Sequence, residues 1–438
     1  MSTTNRVAMV TLGVILGLSV VPFIAAQSNG SAGSVPLQTL AVPGAASSTP
    51  SLAAIGRTAA AVWTASKNGA TNVYLAMSSD GGATFSAPHR VNDKDGEAGA
   101  TNEQPPRVVI SGSGTAPTLT VVWSTRDPGP QETRRDIIRM SRSMDGGRTF
   151  TPARFIHDPA FIGARGWESL TVGADGVVHA VWLDGRDAAQ KIAESAKHTG
   201  TVPKGQPPQA IYHGTLSANG QVVESLVAAD VCFCCKTAVA VDTRGGVYAA
   251  WRHIFPGSMR DIAFATSTDG GHHFNPFVRV SDDKWELNGC PEDGPSIAVD
   301  QSRTIHIAWA TVVNEGEPRK ALFYATSRDG KTFSPRARVP ADVAATPSHA
   351  QLTLTPDGGA AIVWDETING QRRISFTRVS RTGVFRPAQI LSGGDESASY
   401  PVIARAAAGS LIVGWTSRAA MGKSSDPSVI KLKRLGTN

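Results

Sequence analysis

The sequence predicts an all-β protein, a β-propeller of seven four-stranded antiparallel blades, on three observations. Short apolar runs ending in tryptophan recur along the chain, at Trp63, Trp123, Trp182, Trp251, Trp309, Trp364 and Trp415, at intervals of 60, 59, 69, 58, 55 and 51 residues. A short motif, S-x-D-G-G-x-x-F, follows several of these tryptophans at a similar distance. The 44 glycines and 27 prolines, with only 18% charged residues, suit many strands joined by tight turns.

Each repeat reads as one sheet. In SLTVGADGVVHAVW (Ser169 to Trp182) two apolar runs flank a glycine turn. After most tryptophans come a third run, the motif and a fourth run, giving strand, turn, strand, loop, strand, turn, strand. A single such sheet cannot bury both faces, so the units must stack radially around an axis. The last unit supplies three strands, ending at SVIKLKRL (Ser428 to Leu435). PLQTLAV (Pro36 to Val42) is expected to provide its fourth and close the ring. Six blades with an irregular final unit is the alternative.

The motif is a turn and not a reaction centre. It stands as SSDGGATF (Ser78 to Phe85), SMDGGRTF (Ser143 to Phe150) and STDGGHHF (Ser267 to Phe274). It is shortened in SRDGKTF (Ser327 to Phe333), degenerate in SRTGVF (Ser380 to Phe385) and reduced to LSANGQ (Leu216 to Gln221) in the third repeat. The Asp carboxylate and Ser hydroxyl can bond turn backbone, the glycines permit positive φ, and the aromatic packs between blades. Chemistry is needed once per protein, whereas a turn is needed once per blade.

At the start of the chain, Arg6 precedes an apolar run from Val7 to Ala26 that ends in small residues. Residues 1–26 read as a secretory signal peptide or an N-terminal membrane anchor, 27–35 as a flexible leader and 36–438 as the propeller domain. No cysteine follows the apolar run, which argues against a lipoprotein anchor. The protein is expected to be secreted or periplasmic, and a monomer. The net charge of +6 is modest and no Lys/Arg run with interleaved aromatics occurs, so nucleic acid is not an expected partner.

The motif copies resemble the Asp-box (BNR repeat) of the sialidase-like superfamily, and the repeats cover nearly the whole domain. The resemblance implies a glycan-directed propeller whose site lies around the axis on the face opposite the Asp-boxes. The lead-ins to the innermost strands converge there: NEQPPR (Asn102 to Arg107), ARGWES (Ala164 to Ser169), VCFCCKT (Val231 to Thr237), NGCPEDGPS (Asn288 to Ser296), PSHAQ (Pro347 to Gln351) and SASYP (Ser397 to Pro401). The loops after the tryptophans join them, among them STRD (Ser124 to Asp127), LDGRD (Leu183 to Asp187), RHIFPGSMRD (Arg252 to Asp261) and DETINGQRR (Asp365 to Arg373).

By the same resemblance, a retaining sialidase needs a Tyr nucleophile paired with a Glu, an acid/base carboxylate and an arginine clamp for the substrate carboxylate. Tyr400 resembles the nucleophile, with Glu292 or Glu168 as its partner and Asp127 and Asp187 as acids. Arg186, Arg252 and Arg372 are clamp candidates, and Trp167 a substrate contact. The chain departs from the family in blade 1, where TPSLAAIGRT (Thr49 to Thr58) has no Phe/Tyr-Arg-Ile-Pro segment. Tyr400 packing at a strand start is the plainer reading.

The four cysteines, Cys232, Cys234, Cys235 and Cys290, sit in two consecutive lead-ins. Two disulfides between adjacent blades are one reading, although neighbouring cysteines pair poorly with each other. A thiolate site for copper or zinc, joined by His253, is the other. His272 and His273 belong to an Asp-box and should lie on the far face. Three functions therefore stand: a sialidase-like exo-glycosidase or a degenerate glycan binder, an extracytoplasmic metal-binding or redox-linked protein, and a non-catalytic interaction propeller.

Overall fold

The computed structural model describes residues 36–99, 103–112, 116–127, 135–199, 209–217, 221–232, 234–289, 291–314, 316–420 and 426–437, with Met1 and Gly114. The expected signal or anchor segment and the leader lie outside the described residues, Met1 apart. Residues 36–437 form seven four-stranded antiparallel sheets, which excludes the six-bladed alternative. The innermost strands are Ala46–Ile55, Arg107–Ser111, Arg165–Val172, Ala238–Val241, Ser296–Val299, Thr346–Leu354 and Glu396–Arg405 for blades 1 to 7. Each packs against the innermost strand of the next blade, and that of blade 7 against that of blade 1. The ring is closed.

Closure takes the expected form. In blade 7 the strands Glu396–Arg405, Leu411–Ala419 and Val429–Leu435 come from the end of the chain, and the outermost, Gln38–Leu40, from its beginning. Leu40 pairs with Ile430 and is buried with Trp63 and Leu432, so one short strand ties two blades together.

The repeating tryptophans are the core. All seven lie on the second strand of their blade, at most 1% exposed. An aromatic side chain of this size removes about 150–250 Å² from water, so each is a large share of its blade's apolar burial. Where the indole N–H is buried beside a carboxylate it donates to it: Trp182 to Asp184 at 3.0 Å, Trp364 to Glu366 at 2.9 Å and Trp309 to Asp283 at 2.7 Å.

The Asp-box is the turn between third and fourth strands. Ser143 Oγ donates to Asp145 at 2.7 Å, and Asp145 accepts from Arg148 N and Thr149 N at 3.0 Å and from Thr149 Oγ1 at 2.6 Å. The Thr149 side-chain and backbone bonds hold the Asp145 carboxyl well below its usual range. The glycines are required for contact as well as for φ. A Cβ on Gly82 (φ +82°) would stand 2.4 Å from Ile412 of blade 7, so this turn docks on the neighbouring blade.

Blade 3 departs from the pattern. Its third and fourth strands, Gln209–Leu216 and Val222–Val231, are joined without an Asp-box, and the fourth runs ten residues where other blades have two or three. That long strand returns the chain to the axial face and delivers Cys232 there. The α-helix Arg186–Thr199, the single α-helix among the described residues, is inserted between this blade's second and third strands.

Candidate functional site

The axial face is organised by β-bulges. The pairing of first and second strands slips between Ser48 and Ser51, Gly166 and Ser169, Ser348 and Gln351, and Ser399 and Val402. In each bulge one non-glycine residue adopts a left-handed backbone: Thr49 (φ +53°), Trp167 (+61°), His349 (+55°) and Tyr400 (+54°). Such a conformation costs about 1–3 kcal/mol for an L-residue and persists where its surroundings hold it. Bulges re-aim side chains, and here the four fall at matching positions around the axis. Beneath them the innermost strands enclose a shaft of about 180 Å³, lined in part by Arg107, Lys236, Ser296 and Gln351.

Around Tyr400 lies a dense ionic network. His349 Nδ1 bonds Asp365 Oδ2 at 2.8 Å and its Nε2 lies 3.2 Å from Glu103 Oε1. Glu103 Oε2 is 2.6 Å from Lys236 Nζ. Asp293 pairs with Lys320 and accepts from the His349 backbone N–H at 2.9 Å. The Tyr400 N–H donates to Asp365 at 2.8 Å, and its ring stands 4.5 Å from that of His349. Lys236 Nζ and the Arg372 guanidinium are each 5.8 Å from the Tyr400 ring centre. The charges of Glu103 and Arg372 both act on the Tyr400 phenol.

The network fixes its own protonation. Burial would raise Glu103, but the bonds from His349 and Lys236 take it down to about 2. Burial would lower His349, yet the Asp365 charge and the bonds from Asp365 and Glu103 bring it up to about 9. Burial and the Glu103 charge push the Tyr400 phenol well above its ordinary range. Asp293 stays ionised against its burial through His349, Lys320 and Lys236. At neutral pH the group therefore holds a neutral phenol, three carboxylates (Glu103, Asp293, Asp365) and four cations (Lys236, Lys320, Arg372, His349).

Of the residues singled out from sequence, Tyr400, Arg372 and Trp167 lie at this mouth. The Trp167 backbone N–H donates to Oε1 of Gln104, the residue beside Glu103, at 3.0 Å. The rest are placed differently. Glu292 is exposed at φ +57°, and its neighbour Asp293 enters the network instead. Glu168 is 1% exposed and accepts from Ser124 Oγ at 3.3 Å; the carboxylate whose charge reaches the Tyr400 phenol is Glu103. Asp127 lies 3.5 Å from Arg135 on the same hairpin of blade 2. Asp187 opens the inserted helix, beside Arg186.

Two expected clamp arginines are engaged elsewhere. Arg186 binds Asp184 and Glu224, both at 2.6 Å, and stacks on Tyr212 within blade 3. Arg252 is 1% exposed and spends all three guanidinium nitrogens on backbone carbonyls, of Asp293 (3.0 Å), Arg260 (2.5 Å) and Ala310 (2.6 Å). It braces the chain that carries Asp293. In blade 1 the mouth position is Thr49, whose N–H donates to Thr416 Oγ1 at 2.8 Å.

The thiols adjoin the mouth. Cys232, Cys234 and Cys235 are buried, with Sγ–Sγ distances of 3.6 Å (Cys232 to Cys234) and 3.4 Å (Cys232 to Cys235), and are not disulfide-bonded. Cys290 lies outside the described residues. Trp167 and Ile254 pack on the three thiols, and the Arg260 guanidinium donates to Cys232 Sγ at 3.4 Å. His253 is not in the thiol cluster; it accepts from Trp251 Nε1 at 3.5 Å between Phe255 and Phe277, where burial lowers its pKa to about 4.

Glu103, Lys236, His349, Asp293, Asp365 and Lys320 were not singled out from sequence as site residues. A usable signal was present. Tyr400, His349, Trp167 and Lys236 each stand fifteen residues before the tryptophan of their blade.

No protein-family profile matches the chain, and no curated protein matches it in sequence. Solved structures match it over nearly their whole length. An ulvan lyase of polysaccharide lyase family PL25 superposes with a TM-score of 0.55 at 10% identity, covering 91% of this chain and 96% of that one. The polysaccharide lyase Uly1 gives 0.55 at 11%, covering 89% and 90%. A protein of unknown function from Dyadobacter fermentans gives 0.51 at 11%, covering 92% and 98%. The likeness is one of fold.

Proposed function

We propose that the axial mouth binds and cleaves a carboxylated glycan outside the cytoplasm, with Tyr400 and Glu103 as the reacting pair. The observation that carries this reading is the placing of the Tyr400 ring, 4.5 Å from that of His349 and 5.8 Å from both the Lys236 ammonium and the Arg372 guanidinium, over the ionic network that holds Glu103. Glu103 is ionised and the phenol neutral, so the proton rests on Tyr400, within the field of a carboxylate that can receive it.

In this reading the Tyr400 oxygen attacks the anomeric carbon as its proton passes to Glu103, and Arg372 stabilises the oxygen as it gains negative character. The bond to the leaving oxygen breaks, and the ionised His349 supplies that oxygen with a proton. Water then attacks the anomeric carbon and gives a proton to the now neutral His349, while the tyrosyl–sugar bond breaks and Glu103 returns its proton to Tyr400. Asp365 positions the pair, since it holds both the His349 ring and the Tyr400 backbone.

Charge supports an acidic sugar. Four cations face three carboxylates in the network, which leaves one positive charge for a substrate carboxylate, and Arg372 offers the planar geometry for it. The fold likeness to two polysaccharide lyases supports a glycan as the substrate class, by analogy of fold. The test is turnover of a fluorogenic sialoside and of a uronate-containing polysaccharide by wild type and Tyr400→Phe. Turnover lost in the variant supports the reading. Failure of wild type on both substrate types overturns it, and binding without turnover returns the mouth to a glycan-binding role.

A further inference from the structure

We infer that Cys232, Cys234 and Cys235 form a three-thiolate site for a monovalent soft metal ion, Cu(I), beside the axial mouth. The three sulfurs all lie within 4.8 Å of one another and are 1%, 6% and 2% exposed as residues. A tetrahedral or trigonal thiolate site with metal–sulfur bonds of about 2.3 Å places its sulfurs about 3.8–4.0 Å apart. The observed 3.4 and 3.6 Å need only a small outward movement to receive an ion. A disulfide would need the sulfurs to close to about 2.05 Å, a much larger displacement.

Position in the fold explains the convergence. The long outer strand of blade 3 ends at Val231, and blade 4 begins seven residues later, at Ala238. The turn between them therefore folds Cys232 against Cys234 and Cys235. Among the described residues, Trp167 and Ile254 pack on the buried sulfurs. Soft thiolates with a closed, low-coordinate geometry favour Cu(I) over harder ions.

One cation stands at the site to meet the charge. Three thiolates with one Cu(I) carry two negative charges, and the Arg260 guanidinium donates to Cys232 Sγ at 3.4 Å. Binding exchanges the thiol protons for the metal and releases them to solvent, with no change in oxidation state when the ion is supplied as Cu(I). Lys236 follows Cys235 directly, so an ion here anchors the turn that holds Lys236 against Glu103.

The experiment is anaerobic titration of the reduced full chain with Cu(I) against a chromophoric Cu(I) chelator. About one equivalent per chain retained against the chelator is expected, with affinity falling at least about tenfold in Cys232→Ser, Cys234→Ser and Cys235→Ser. Circular dichroism identifies variants that fail to fold, and X-ray absorption on copper-loaded wild type gives the first shell without any variant. A sulfur-only shell supports the inference. It is overturned by a shell of nitrogen or oxygen, by unchanged affinity in all three folded variants, by preferential retention of zinc, or by a Cys232–Cys235 disulfide in the protein as isolated from the periplasm.

Discussion

One carboxylate oxygen of Asp365 holds both His349 and Tyr400, accepting from the imidazole Nδ1 and from the tyrosine backbone N–H at 2.8 Å each. Both held residues sit in left-handed bulges of adjacent blades, so Asp365 fixes the relative position of an ionised imidazole and a neutral phenol. Their rings are 4.5 Å apart. Glu103 then bonds the His349 ring from the lead-in to blade 2, across the axis.

The reacting pair makes the first prediction. Tyr400→Phe preserves the ring contact with His349 and removes only the hydroxyl. It should lower kcat on a carboxylated glycan by at least about 100-fold with the melting temperature nearly unchanged. Glu103→Gln should lose similar activity and also about 2–4 kcal/mol of stability, because Lys236 and His349 then lose their buried counter-charge. Steady-state kinetics with denaturant unfolding separates the two effects.

A pH dependence follows from His349. Its folded pKa, about 9, lies above the ordinary value of 6.5, because the groups facing it are Asp365, Glu103 and Asp293, with Lys236 opposing them. The folded state therefore holds a proton that the unfolded chain releases. This stabilisation is fully present below about pH 6.5 and is lost as pH rises through about 9, with a size on the order of 3 kcal/mol. His349→Gln should reduce the fall in stability over that alkaline window, measured by urea unfolding at pH 6 and pH 9.5. An unchanged slope would refute the assignment.

Arg252 distinguishes a brace from a clamp. Its three nitrogens donate to the carbonyls of Asp293, Arg260 and Ala310. Arg252→Met should cost about 3 kcal/mol or more by leaving those carbonyls unpaired, while KM in the folded fraction stays close to wild type. A KM rise without loss of stability would restore Arg252 to substrate binding.

The Asp-box glycines allow a paired comparison. Gly82→Ala meets Ile412 at 2.4 Å in a left-handed backbone, whereas a Cβ on Gly270 (φ +73°) meets nothing within 4 Å. The first substitution should cost about 2–4 kcal/mol and the second about 1 kcal/mol. Equal losses would mean that backbone strain alone, and not docking between blades, sets the requirement.

The fold was legible because its signals repeat. Seven tryptophans and five recognisable turns report the same strand order, and Pro36 to Val42 was identifiable as the missing strand by counting three in the last blade. The mouth was legible only as a set of segments. NEQPPR and PSHAQ were placed on the right face, but the pairing of Glu103 with His349 spans 246 residues and depends on which blades meet across the axis. Glu292 was preferred over Asp293 because sequence cannot show which of two adjacent acids a bulge turns inward. Arg252 was misjudged for a related reason. An arginine beside a cleft looks available until its carbonyl partners are known.

The pairing of Leu40 with Ile430 has a consequence for how the molecule is made. The ring's seam joins stretches almost four hundred positions apart, so six blades can assemble while the seventh still waits for its rim. Contacts so remote in sequence form late, since the loop they close is the longest in the chain. The same seam is where the finished circle should first come undone. Amide exchange at Leu40 and Ile430 is expected to outrun that of the central strands around Trp182 and Trp309, and a mouth built from residues of all seven blades keeps its shape only while that latch stays shut.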